Sequence, residues 1–159
     1  MRKLSLVINA GAVAALVLLV AGLSAQSANP RYGKWKLKSD AAAPQSNIMS
    51  YDPIDGGKGM KITIDAVTKD GVASKWGYDT HFDGKDEPLY GNPGTDTGSV
   101  KMITDRINEI VYKKDGKITQ LLTNVLSPDG HTIGVMYMRM DPEGKVTRNV
   151  TFATYEKMK

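Results

Sequence analysis

The chain has 159 residues, 21 lysines and arginines against 17 aspartates and glutamates, and no cysteine. The lack of cysteine excludes disulfides, thiolate catalysis and Cys-ligated metals together. A net charge of +4 is too weak to read as a nucleic-acid footprint, so no nucleic-acid partner is expected.

Arg2 and Lys3 precede a mostly apolar stretch from Leu4 to Leu23, and small residues follow at Gly22, Ser24, Ala25, Ser27 and Ala28. That order predicts a bacterial-type secretory signal over residues 1–28 and one domain over 29–159, exported to the periplasm or beyond. The alternative is an uncleaved anchor, since the apolar stretch is near the lower limit for a span. With the signal removed, +4 falls to +2 and about 131 residues remain, enough for a single hydrophobic core.

Tyr32–Lys38 reads as the first strand, with Gly33, Trp35 and Leu37 on one face, and Ser39–Gln45 as a connection or short helical turn. Ile48–Tyr51 is a short strand ended by Asp52-Pro53. Met60, Ile62 and Ile64 then alternate with polar residues. The next strand places Val72, Trp76, Tyr78 and Phe82 on one side, by the two-residue period of extended chain. Lys85–Gly98 holds Pro88, Gly91, Asn92, Pro93, Gly94 and Gly98, and reads as a long irregular loop. Ser99–Thr104, Arg106–Lys113, Lys117–Leu126, Thr132–Met140 and Val146–Tyr155 are all strand-like.

Acidic-Gly pairs punctuate these runs at Asp70-Gly71, Asp83-Gly84, Asp115-Gly116, Asp129-Gly130 and Glu143-Gly144. Asp-Gly favours tight hairpins because both residues reach positive φ at low cost. The fold expected is all-β: an antiparallel up-and-down meander of about 8–10 strands closed into a barrel, because an open sheet would leave two exposed edges. The inward set is expected to include Trp35, Leu37, Met60, Ile62 and Ile64 early in the chain. Val72, Trp76, Tyr78, Phe82, Leu122, Val150 and Phe152 are expected to follow.

Tyr32-Gly33-Lys34-Trp35-Lys36-Leu37, a Gly-x-Trp on the first strand of an exported β-meander, resembles the lipocalin and calycin superfamily. The resemblance implies that Gly33 and Trp35 close the barrel floor and that Arg148, from the last strand, packs across the indole. The lipocalin Thr-Asp-Tyr motif has only an echo in Thr104-Asp105-Arg106, and no C-terminal helix is expected after the last strand.

The leading functional expectation is non-catalytic binding of a small hydrophobic or amphiphilic ligand in the bacterial envelope, against Trp76, Tyr78 and Phe82. Arg148 has two readings, a cation over Trp35 or an anchor for a ligand's polar head. Tyr137 and Arg139 join it if their strand face points inward. The alternative is a filled barrel that acts through its surface. A third reading is Cu(I) binding by Met136, Met138 and Met140, because thioethers are soft ligands; the plainer role of that run is packing. His81 and His131 lack metal-ligand spacing. No enzyme activity, no cofactor and no stable membrane insertion after signal removal are expected.

Overall fold

The computed structural model describes residues 29–38, 44–141, 143–147 and 150–159. The proposed signal at 1–28, most of the 39–45 connection and Arg148 lie outside the described residues. The described chain forms ten strands: β1 (Gly33–Lys38), β2 (Ser46–Ile54), β3 (Gly59–Val67), β4 (Ala73–Thr80) and β5 (Asp83–Tyr90), then β6 (Thr97–Met102), β7 (Ile107–Lys114), β8 (Lys117–Leu126), β9 (Thr132–Arg139) and β10 (Thr151–Lys157). Each pairs antiparallel with its sequence neighbour, and β1 pairs with β10, so the sheet closes into an all-β barrel. Closure pairs every strand on both sides, with the shortest ladder, two positions, between β4 and β5.

Four of the acidic-Gly pairs lie between strands, but both residues take positive φ at only one of them; at Asp70-Gly71, Asp129-Gly130 and Glu143-Gly144 the glycine alone does. Asp115 and Gly116 both take positive φ, 50° and 73°, in the two-residue β7–β8 turn, the conformation that splays least against strand twist. Asp83-Gly84 departs from the expectation. It lies inside β5, where the β5–β6 register shifts between Asp83 and Asp86, and the β4–β5 tip is His81-Phe82 instead.

β5 itself overturns the reading of Lys85–Gly98 as one irregular loop; only 91–96 lies between strands. Pro88 is tolerated for a definable reason. The Leu89 N–H donates to the Asp96 carbonyl on the β6 side (2.8 Å), so the nitrogen of Pro88 faces β4. On that side the ladder has ended: β4 and β5 pair only at Gly77↔Tyr90 and Tyr78↔Leu89. A missing donor costs nothing where there is no acceptor to meet it.

The core runs along the inner face in cross-strand rows. Met49, Ile64 and Trp76 form one row, and Tyr51, Ile62 and Tyr78 the next. Met60, Tyr78, Leu126, Ile133, Val100 and Trp35 are fully buried or nearly so. Three expected inward residues are not there. Val72 precedes β4 in an exposed turn, at 63 % exposure. In β10 the positions packed on the core are Ala153 and Tyr155, so Val150 and Phe152, one residue out of phase, are exposed; Phe152 borders the cavity but is 73 % exposed. A strand's period of two makes a one-residue phase error invert every assignment.

Candidate functional site

One end of the barrel is closed. The loops after β2, β4, β6 and β8 gather there with residues 29–32. Arg31, to which the sequence assigns no role, is buried at this floor. Its Nη1 donates to Asn124 Oδ1 (2.6 Å) and its Nη2 to the Arg106 carbonyl. Burial lowers its pKa, yet a guanidinium stays charged, so two oxygen dipoles hold the charge in place. Asn124 Nδ2 donates to the Tyr51 hydroxyl (3.1 Å), which donates in turn to Met49 Sδ (3.2 Å).

Trp35 is fully buried beside this network, and its Nε1 donates to the Arg31 carbonyl (2.9 Å). The cation over its ring is Lys157, with Nζ 5.6 Å from the centroid. Arg148, expected over this ring, lies outside the described residues. Lys157, directly opposite Trp35 in the β1–β10 register, takes the position over the indole.

Above the floor the barrel is hollow. A cavity of about 450 Å³ opens toward the other end, within the range of small-molecule sites. Its wall is aliphatic and aromatic, with Ile62, Ile64, Ile110, Leu122 and Val135 among its residues. Five of the chain's seven tyrosines also line it: Tyr51, Tyr78, Tyr112, Tyr137 and Tyr155. Tyr112 stands edge-on to both Trp76 and Tyr78, with centroids 5.7 Å apart in each pair. Gly98 makes room for it, since a Cβ there would sit 3.2 Å from the Tyr112 ring.

The hydroxyls fall into two pairs, Tyr78 with Tyr112 at 3.1 Å and Tyr137 with Tyr155 at 3.5 Å. Burial pushes Tyr51 and Tyr137 up to about 12 and raises Tyr78, Tyr112 and Tyr155 as well. All five are therefore neutral phenols at physiological pH, able to donate and to accept.

The mouth is polar. Asn47, Asn92, Gln120, Arg139 and Thr151 line it. Asn47 Oδ1 is buried and has no hydrogen-bond partner among the described residues. Arg139 is the only charged residue among those lining the cavity, and among the described residues no carboxylate pairs with it.

Of the residues singled out from the sequence, Trp76, Tyr78, Tyr137 and Arg139 are brought together around this cavity. The inward face of β9 is thus Ile133, Val135, Tyr137 and Arg139, with Met136 and Met138 on the outer face, half-buried. Met140 lies beyond β9 in an isolated bridge to Val146. The methionine run therefore does not line the cavity, and His81 and His131 sit in loops at the floor end. Phe82 is corrected too. It occupies the β4–β5 tip with φ 61° and packs on the core from the floor end, outside the cavity lining. His81 is exposed, and its hydrogen bond to Asp55 (2.8 Å) raises its pKa.

The sequence reading missed Arg31, Tyr51, Tyr112, Tyr155 and Asn124. A signal for three of them was present: each of these tyrosines sits two residues after a buried or half-buried apolar residue, as in Met49-x-Tyr51, Ile110-x-Tyr112 and Ala153-x-Tyr155.

No protein-family model matches the chain, and no curated protein matches it. Its class is accordingly defined by architecture: a closed, ten-stranded antiparallel barrel with an internal cavity, compatible with a calycin-like barrel.

Proposed function

We propose that this barrel binds a small amphiphilic anion, non-catalytically, in the bacterial envelope. The observation that carries the reading is the cavity of about 450 Å³ with apolar walls and a single cation, Arg139, at its mouth. A hydrophobic body enters the barrel and an anionic head stays at the rim.

Magnitudes divide the labour between the two parts. Burying about 200 Å² of apolar ligand surface is worth about 5 kcal/mol at roughly 25 cal/mol per Å². A solvent-exposed ion pair contributes only about 0.2–1 kcal/mol. Affinity therefore rests on the walls, while Arg139 sets which end of the ligand enters first. The order of basic, apolar and small residues over 1–28 supports export, and a calycin-type relationship is supported by Gly33-x-Trp35 and by the closed meander.

The test is native mass spectrometry of the protein purified from an exporting host, followed by denaturing extraction. A stoichiometric small amphiphile is the expected result. A bare protein that also fails to take up anilinonaphthalenesulfonate would overturn the reading.

A further inference from the structure

The tyrosine pairs carry more information than the cavity's size. Two hydroxyls in mutual contact hold two protons but use only one between them. The Tyr78–Tyr112 pair (3.1 Å) therefore keeps one O–H with no acceptor among the described residues. The Tyr137–Tyr155 pair, at 3.5 Å, is at the outer limit of a hydrogen bond and engages its protons less still. Tyr51 differs: it donates to Met49 Sδ and accepts from Asn124, so its donor is used. Each pair thus presents a free phenolic donor to the cavity wall that both its members line. Solvent serves such a donor in an open barrel. A bound ligand that displaces solvent must serve it instead, or leave a buried donor unpaired.

We infer that the preferred ligand carries a carbonyl-type oxygen on the buried part of its skeleton, as in an oxygenated aryl carboxylate, and is taken in preference to a purely hydrocarbon carboxylate. This rests on the binding reading above and names its ligand class. The Trp76–Tyr112–Tyr78 edge-to-face cluster adds aromatic surface for such a skeleton to pack against.

The probes are 4-benzoylbenzoate and 4-benzylbenzoate, which differ only in a carbonyl replacing a methylene. Each is titrated against the full barrel by displacement of anilinonaphthalenesulfonate. The ketone is expected to bind about tenfold more tightly or better.

Proton counting makes an unusual second prediction. Tyr112→Phe alone leaves Tyr78 with its own free donor, so the preference survives. Either double variant, Tyr78→Phe/Tyr112→Phe or Tyr137→Phe/Tyr155→Phe, removes one of the two donors and reduces the preference, and the fourfold variant, which removes both, collapses it. Equal binding of the two probes to the wild type overturns this inference and leaves the cavity reading standing. So does a preference that persists when all four tyrosines are phenylalanine. Failure of the fluorescent probe itself to bind overturns the cavity reading and this inference with it. Should a multiple variant not fold, the wild-type comparison of the two probes decides alone.

Discussion

Arg31 shows how much one side chain holds at the floor. Its guanidinium joins residues far apart in sequence, Asn124 and Arg106, and its carbonyl takes the Trp35 indole proton. Arg31→Met removes both side-chain bonds and leaves two oxygen acceptors at the floor unpaired. Hydrogen bonds to charged groups contribute about 1.5–3 kcal/mol each, offset here by relief of the buried charge, so a net loss of about 2–3 kcal/mol is expected. Denaturant unfolding of wild type and variant measures it. At the other end, Arg139→Gln is expected to leave stability unchanged, because Arg139 is exposed there. The variant should weaken carboxylate binding by only about three- to fivefold, as suits a rim charge. Isothermal titration with a carboxylate and its methyl amide separates the head-group effect from the loss of any general affinity.

Among the elements, the β4–β5 seam stands apart. Every other neighbouring pair has four or more register positions, whereas β4 and β5 share two. Those two are held closely: Gly77 lies against the Ile62 carbonyl and the Tyr90 hydroxyl, with no room for a Cβ. Gly77→Ala is expected to cost about 1–3 kcal/mol, the usual scale of overpacking. Its amide-exchange pattern should show the loss concentrated at β4 and β5, while β7 and β8 keep wild-type protection. Uniform loss of protection would show that this seam does not open on its own. The same seam explains why β5 was illegible in the sequence. Pro88 and the Asp83-Gly84 bulge both deny the regular ladder on which strand recognition depends, and this strand needs little ladder on its β4 side.

For the molecule as a whole, the tyrosine-lined interior sets the response to alkali. Each buried phenol has a folded-state pKa above its unfolded value, with Tyr51 and Tyr137 raised to about 12. The folded state thus retains protons that the unfolded state releases above about pH 10. Stability is fully present below that pH and falls as pH climbs from about 10 through 12. Spectrophotometric titration should show the five cavity tyrosines withholding their phenolate absorbance at about pH 11 and releasing it together with loss of the barrel's circular dichroism. Early, independent ionisation of these residues would mean that burial does not hold their hydroxyls protonated.

The local chemistry of the chain determined the kind of fold. Alternation in Met60–Ile64, Lys117–Leu126 and Thr132–Arg139, with Asp-Gly at the tips, dictates an antiparallel meander, because strand period and turn conformation are properties of neighbouring residues. Half of the candidate site was legible by the same logic: Trp76 and Tyr78 share a face, as do Tyr137 and Arg139. The inward face of β10, the cation chosen for Trp35, the burial of Arg31 and the pairing of Tyr78 with Tyr112 were decided only by the closed barrel. Each depends on which strands lie opposite and in what register. Closure fixes that through hydrogen bonds between segments as distant as β1 and β10, and no local pattern encodes it.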